Sequence, residues 1–182
     1  MKQAEALELI RGAVASGAGG TWADLGAGTG TFTRALAALI GPAGVVYAVD
    51  RDAGSLRTLA RPAGSEGAEI RTLVGDFTRT LDLPRLNGVI VANALHYVPY
   101  DDQPAVLARV VGLVDSPGIV VIVEYERRDA NRWVPYPIPF QPLQALARTI
   151  GLADPAPLAS RPSRYSGAIY SAVVRLGAPA RA

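Results

Sequence analysis

Residues 23–32 read ADLGAGTGTF. An acid, Asp24, stands two residues ahead of three glycines at alternate positions, Gly26, Gly28 and Gly30. The run before them, 21–25, is short and apolar. The run after them, TFTRALAALI (31–40), has helical spacing and is closed by Gly41-Pro42. Strand, glycine turn and helix in that order form the first turn of an open parallel sheet, and such sheets bind ligands at the carboxyl ends of their strands, where the strand order reverses. Glycine lets the backbone take positive φ and lets a ligand approach with no Cβ in the way. The helix start that follows offers unpaired N–H groups. The stretch therefore reads as a cradle for a small molecule.

Two ligand classes compete for that cradle. A dinucleotide fingerprint places glycines at the first, third and sixth positions of G-x-G-x-x-G. Counted from Gly26 the sixth position is Thr31, and counted from Gly28 it is Thr33. The pattern present is D-x-G-x-G-x-G. A carboxylate ahead of the glycines repels a pyrophosphate and attracts a cationic amine, so the ligand is expected to carry an amino group.

Working outward, residues 3–17 place Ala6, Leu7, Ile10, Ala13, Val14 and Gly17 on one helical face, ended by the GAGG run. GVVYAVD (44–50) is a buried strand and SLRTLAR (55–61) a short helix, followed by a GSEG turn. AEIRTLVGD (68–76) and NGVIVANA (87–94) are strands. DQPAVLARVVGLV (102–114) is a helix stopped by Ser116-Pro117-Gly118, and GIVVIVEYE (118–126) is the fifth strand. After the Pro-rich WVPYPIPFQP come a helix at 141–150 and two strand candidates, 155–161 and 167–176; the final GAPARA reads as frayed. Continuously apolar strands alternating with helices imply a parallel sheet covered on both faces. The 182 residues suit one domain, with an N-terminal helix in 1–18 and a core fold over 20–176.

Composition narrows the class. Apolar residues make up 49% of the chain, which supports a sizeable core, and no apolar run reaches the ~18–20 residues of a membrane span. The first residues carry acids within their apolar stretch and read as an amphipathic helix and not as a signal peptide. There is no cysteine, which excludes disulfides, thiolate zinc sites and a thiol nucleophile and makes a cytoplasmic protein the simplest reading. Net charge is +2, and all but one of the 18 basic residues are Arg. Alongside abundant Ala and Gly this reads as coding bias, so nucleic acid is an unlikely partner. No His and carboxylate set has metal-ligand spacing, so no metal is expected.

The glycine stretch resembles motif I of the class I S-adenosylmethionine-dependent methyltransferases, and the resemblance runs over roughly residues 20–176. VYAVDRD puts Asp50, with Arg51 beside it, where the family's acid binds the ribose hydroxyls. VGDF puts Asp76 and Phe77 where the family contacts adenine. VIVANALHYV, with Asn93, follows the fourth strand as motif IV does, and Pro117-Gly118 resembles the family's entry into strand five. The resemblance implies an α/β fold with a doubly wound, mostly parallel seven-stranded sheet, an antiparallel last strand and three α/β/α layers. It also implies S-adenosyl-L-methionine as cofactor, with Asp24, Gly26, Gly28, Gly30, Asp50, Arg51, Asp76, Phe77 and Asn93 around it. On that reading Asp24 and the Gly26 carbonyl suit the methionine ammonium. Asp50 can accept both ribose hydroxyls, or the strand end, through Asp52 or Asp50 itself, simply caps the next helix.

The acceptor side is less specified. His96, the only histidine, and Tyr97 follow the fourth strand. His96 either takes a proton from the acceptor or bonds a backbone carbonyl and positions its loop; Tyr97 lines the pocket or packs. The family's DNA and amine N-methyltransferases often carry N/D-P-P-Y here, and this chain reads N-A-L-H-Y, closer to small-molecule methyltransferases. Glu124 or Tyr125, one of the two, points into the pocket because side chains alternate along a strand. Arg127 and Arg128 read as a solvated face or, alternatively, as an anion site. Trp133, Tyr136 and Phe140, interleaved with prolines, form either an aromatic wall over the acceptor or a plain crossover. The N-terminal helix is a lid or merely packs on the sheet. With only 127–140 as spare length, the acceptor site is open, shared with a second copy in a homodimer, or completed by that helix. A small-molecule methyltransferase is the leading expectation. A methyltransferase acting on RNA or protein, a nicotinamide oxidoreductase and a non-catalytic cofactor-binding module stand behind it.

Overall fold

The structure, a computed structural model, describes residues 1–60, 67–163 and 167–177. Most of the GSEG turn, the end of the 55–61 helix and most of the GAPARA tail lie outside the described residues. The strands are β1 (Gly20–Leu25), β2 (Gly44–Asp50), β3 (Glu69–Val74), β4 (Leu86–Ala92), β5 (Val114–Glu126), β6 (Ala156–Pro162) and β7 (Ala168–Leu176). The helices are α1 (Gln3–Ile10), α2 (Thr31–Ile40), α3 (Ala53–Leu59), α4 (Gln103–Gly112) and α5 (Phe140–Thr149). They build a seven-stranded sheet in the order β3-β2-β1-β4-β5-β7-β6. β1 to β5 pair in parallel, and β7 runs antiparallel to both β5 and β6. The expected doubly wound sheet with a reversed last strand is the one observed.

Each face of the sheet carries its own core. Leu9 and Ile10 of α1 and Leu36 and Ile40 of α2 pack with Trp22, Val46, Ile90 and Val121. On the opposite face Val106, Leu107 and Val110 of α4 and Leu143 of α5 pack with Leu25, Val89, Val91 and Ile122. Alternate residues of one strand thus feed two different cores, which is why the central strands are apolar throughout. No helix joins β3 to β4; the partly buried Phe77, Leu81 and Leu83 cover the second face there.

Two boundaries differ from the sequence reading for local reasons. The first helix stops at Ile10, not at residue 17, although Ala13 and Val14 are buried as their spacing demanded. Gly12 interrupts the run, and Gly17, Gly19 and Gly20 take positive φ on the way into β1. Ser116-Pro117-Gly118 does not end α4, which already stops at Gly112, but lies inside β5. The β4–β5 register is irregular between Leu86 and Gly88, opposite this proline, and a bulge is where a strand tolerates a residue that cannot donate to the ladder.

The order 2-1-4-5 reverses between β1 and β4. Register pairs Asp24 with Ile90 and Leu25 with Val91, so the carboxyl ends of these two strands open onto one crevice. The glycine loop leaves β1 and the Asn93–Tyr97 segment leaves β4 at that point.

Candidate active site

The glycine loop is held by backbone and by two acids. The N–H groups of Gly26 and Ala27 both donate to the Val49 carbonyl, at 2.8 and 3.0 Å. A Cβ on Gly26 would lie 2.5 Å from that of Ala94, so the β1 and β4 loops approach as closely as they do only because it is glycine. At Gly28, with φ 53, a Cβ would meet nothing within 4 Å. There the glycine serves the backbone turn and leaves open space above it. The Gly28 N–H donates to Oδ2 of Asp50 at 2.7 Å. Gly30 caps α2 in left-handed geometry.

Asp24 is 1% exposed. Its Oδ2 accepts from the Thr33 hydroxyl at 2.6 Å, and its Oδ1 is buried with no partner. Burial pushes its carboxyl up from 3.8 to about 6; the Thr33 hydrogen bond opposes this and the nearby charge of Asp50 adds to it. One other buried side-chain oxygen among the described residues lacks a partner, Oδ1 of Asn93. Asn93 has φ 51, a left-handed geometry uncommon outside glycine but one that Asn tolerates. Asp24 and Asn93 line one crevice of about 160 Å³ together with Gly26, Thr31 and Phe32. A buried acceptor without a donor is costly and rare in a native fold. Two on residues that line one crevice mark a place for a cationic or N–H-bearing ligand group.

The neighbouring crevice, about 210 Å³, is lined by Gly26, Asp50, Arg51, Asp76, Phe77, Asn93 and Tyr97 among others. Asp50 accepts from the backbone of Gly28 and, through Oδ1, of Asp52 at 2.8 Å. It is not the cap of α3; that is Asp52, whose side chain accepts from the Gly54 N–H. Each oxygen of Asp50 keeps a second lone pair for a ligand hydroxyl. Oδ1 of Asp76 accepts from the N–H and hydroxyl of Thr78, which holds its carboxyl below the usual range and leaves Oδ2 outside those bonds.

A third crevice, about 520 Å³, adjoins these through Asn93 and Tyr97 and is otherwise lined by His96, Tyr125, Arg127, Asn131, Trp133 and Val134. His96 is buried, with Nδ1 2.6 Å from Oε2 of Glu124, while the His96 N–H donates to Oε1 of Glu124 at 3.2 Å. The ring nitrogen left for the crevice is Nε2. Tyr97 is 49% exposed, with its ring centroid 4.4 Å from that of His96.

Open alternatives of the sequence narrow here, and some expectations change. Tyr125 lines the crevice, whereas Glu124 is 0% exposed and stands behind His96, because successive side chains of β5 face opposite sides. His96 bonds a carboxylate and not a backbone carbonyl. Tyr136 is outside this crevice: its N–H donates to the His96 carbonyl and its ring packs edge-on against Tyr100. Arg127 and Arg128 part company. A tight turn in which the Arg127 N–H donates to the Tyr125 carbonyl brings Arg127 to the crevice, while Arg128 stays exposed. Thr33 was missed; a threonine on an otherwise apolar helix face, one turn after the glycines, was the available signal. Asn131 and Val134 had none.

A mixed seven-stranded sheet with its last strand reversed, and a glycine loop under an acid at the switch point, define a class I methyltransferase architecture. Residues 23–118 match the family described as "Methyltransferase domain", and the chain belongs to that family. No curated protein matches the chain by sequence. Among solved structures it is similar to 1,6-didemethyltoxoflavin-N1-methyltransferase of Burkholderia thailandensis, at 20% identity and TM-score 0.70 over 97% of this chain and 78% of that one. It is similar to an arsenic(III) S-adenosylmethionine methyltransferase of Chlamydomonas reinhardtii, at 20% identity and TM-score 0.68 over 93% and 67%. A magnesium protoporphyrin IX methyltransferase of Synechocystis, with bound SAM, matches at 16% identity and TM-score 0.62 over 87% and 71%. Among the described residues no helix is long and apolar enough to cross a membrane.

Proposed function

We propose that the protein transfers a methyl group from S-adenosylmethionine to a small-molecule acceptor. One observation carries the reading: the buried, unpartnered oxygens of Asp24 and Asn93 at the switch point. A methionine ammonium is cationic and carries several N–H donors, which meets what both oxygens lack. In this reading Asp24, Asn93 and the Gly26 carbonyl hold the amino-acid end. Asp50 takes the ribose hydroxyls. Oδ2 of Asp76 takes the adenine amine, and Phe77 offers the base an apolar face; Arg51 borders the same space. When bound, the cofactor supplies an electrophilic methyl on a sulfonium.

The chain's own contribution is to orient the acceptor and to receive its proton. Glu124 fixes the His96 ring from Nδ1, which leaves Nε2 as the acceptor for a proton facing the larger crevice. The same carboxylate stabilises the ring once it is charged. Tyr97 and Asn93 sit where the crevices meet and align acceptor with cofactor. The molecules named for the similar structures, arsenic(III), 1,6-didemethyltoxoflavin and magnesium protoporphyrin IX, are all small and support this acceptor class.

Calorimetric titration with S-adenosylhomocysteine tests the reading. Saturable binding at one site is expected, and a flat thermogram at millimolar ligand sinks it.

A further inference from the structure

The 520 Å³ crevice has a composition that names the kind of molecule it takes. Three of its walls are rings, Tyr97, Tyr125 and Trp133. Trp133 is 64% exposed, so its ring offers the crevice a large apolar face that a ligand can cover. It is held outward by a built turn. Oδ1 of Asn131 accepts from the N–H groups of Trp133 and Val134, at 2.9 and 2.8 Å, and Asn131 and Val134 form a backbone bridge. The Arg132 guanidinium lies 4.6 Å from the Trp133 ring centroid and is not among the crevice residues, so it supports the ring from outside.

The crevice also holds one cation and no carboxylate among its lining residues. Nε of Arg127 donates to the Asp129 carbonyl at 2.7 Å, which fixes the guanidinium and leaves its two terminal nitrogens without a partner among the described residues. A fixed planar fork with two free donors matches a carboxylate in bidentate fashion. Position adds direction. Asn93 and Tyr97 border the cofactor crevice, whereas Arg127, Asn131, Trp133 and Val134 belong to the acceptor crevice alone. A ligand that reaches the methyl past Asn93 and Tyr97 therefore meets Arg127 outside the cofactor crevice.

Building on the methyltransferase reading, we infer that the acceptor is a flat aromatic carboxylate. Its ring stacks among Tyr97, Tyr125 and Trp133, and its carboxylate is held by Arg127 at the end away from the methyl.

The test uses the full chain saturated with S-adenosylhomocysteine and two calorimetric probes: a hydroxynaphthoate with hydroxyl and carboxylate on opposite rings, and the corresponding naphthol. The hydroxynaphthoate is expected to bind at least about tenfold more tightly, the effect of one charge-assisted contact. Arg127→Gln should erase that preference while leaving naphthol and S-adenosylhomocysteine affinities and the melting temperature unchanged. Trp133→Ala should weaken both probes alike. Equal binding of the two probes, a preference that survives Arg127→Gln, or no binding of either probe by protein that does bind S-adenosylhomocysteine overturns the proposal and leaves the methyltransferase reading standing. Failure of S-adenosylhomocysteine itself to bind removes the cofactor reading, and this proposal with it.

Discussion

Two acids are sealed inside this protein at the carboxyl ends of strands on either side of β4, and they are treated in opposite ways. Asp24, at the end of β1, has one oxygen satisfied by Thr33 and one left bare. Glu124, on β5, has one oxygen on the ring and the other on the backbone of a single residue, His96. Burial costs both the same kind of desolvation. Only Glu124 recovers it from within the protein, so only Asp24 is left in a state that a ligand can improve. The first arrangement is a receptor for a missing charge; the second is a bracket for a neighbouring side chain. A protein gives up stability at the first kind of site and gains order at the second.

The sharpest way to break this contrast is Asp24→Asn. The amide keeps an oxygen for Thr33 but removes the charge, so S-adenosylhomocysteine affinity should fall by roughly 3 kcal/mol or more, the scale of an unpaired buried charge. The melting temperature of the ligand-free protein at neutral pH should rise. A variant that loses stability and keeps affinity would show Asp24 to be a bracket as well. Asp50→Ala comes next. It should weaken the same ligand by roughly 1.5–3 kcal/mol, the range for hydrogen bonds to a charged group, and a calorimetric affinity equal to wild type removes the ribose assignment. For Glu124→Gln the expectation inverts: a loss of roughly 1–3 kcal/mol in chemical denaturation, with cofactor affinity unchanged within error. Its methyl-transfer rate should also fall, because His96 loses the group that sets its tautomer.

pH sharpens the same comparison. The carboxyl of Asp24 lies at about 6 in the folded protein against 3.8 ordinarily. The folded state therefore binds more protons than the unfolded one between these values. The stability this group contributes is complete below 3.8 and is lost as pH rises through about 6. A cationic ligand needs the ionised form, so its affinity should run the other way. It should be constant above about 6 and fall by roughly tenfold per pH unit below it, with proton release on binding. Calorimetry in buffers of different ionisation enthalpy reads both; an affinity flat from pH 7 to 5 places the ammonium elsewhere.

How far the sequence was legible follows the distance over which each feature is encoded. The helix at 31–40 and the strand at 44–50 have the bounds that their spacing and the Gly41-Pro42 stop implied. Asp24, Asp50 and the glycines lie on one continuous strand–turn–helix–strand segment, so their convergence needed no long-range information. The His96–Glu124 pair joins residues 28 positions apart and exists only because Ala92 pairs with Val123 and the Asn93 N–H reaches the Val123 carbonyl. That register is a property of the assembled sheet. For Arg127 the choice between a solvated face and an anion site was illegible for a similar reason. Its approach to the crevice depends on a single tight turn just past β5, and alternation along a strand says nothing about the residue after it. The first helix was overextended because Ala13 and Val14 obey helical spacing while being buried by other means.

The chain has two tryptophans, and they occupy opposite environments. Trp22 is 3% exposed, its indole N–H held by the Gly19 carbonyl, whereas Trp133 stands in water at the mouth of the larger crevice. Their fluorescence should therefore separate into a blue component from the core and a red one from the rim. Quenching confined to the red component reports a molecule arriving at that rim, which makes the protein its own unlabelled sensor for screening candidate acceptors.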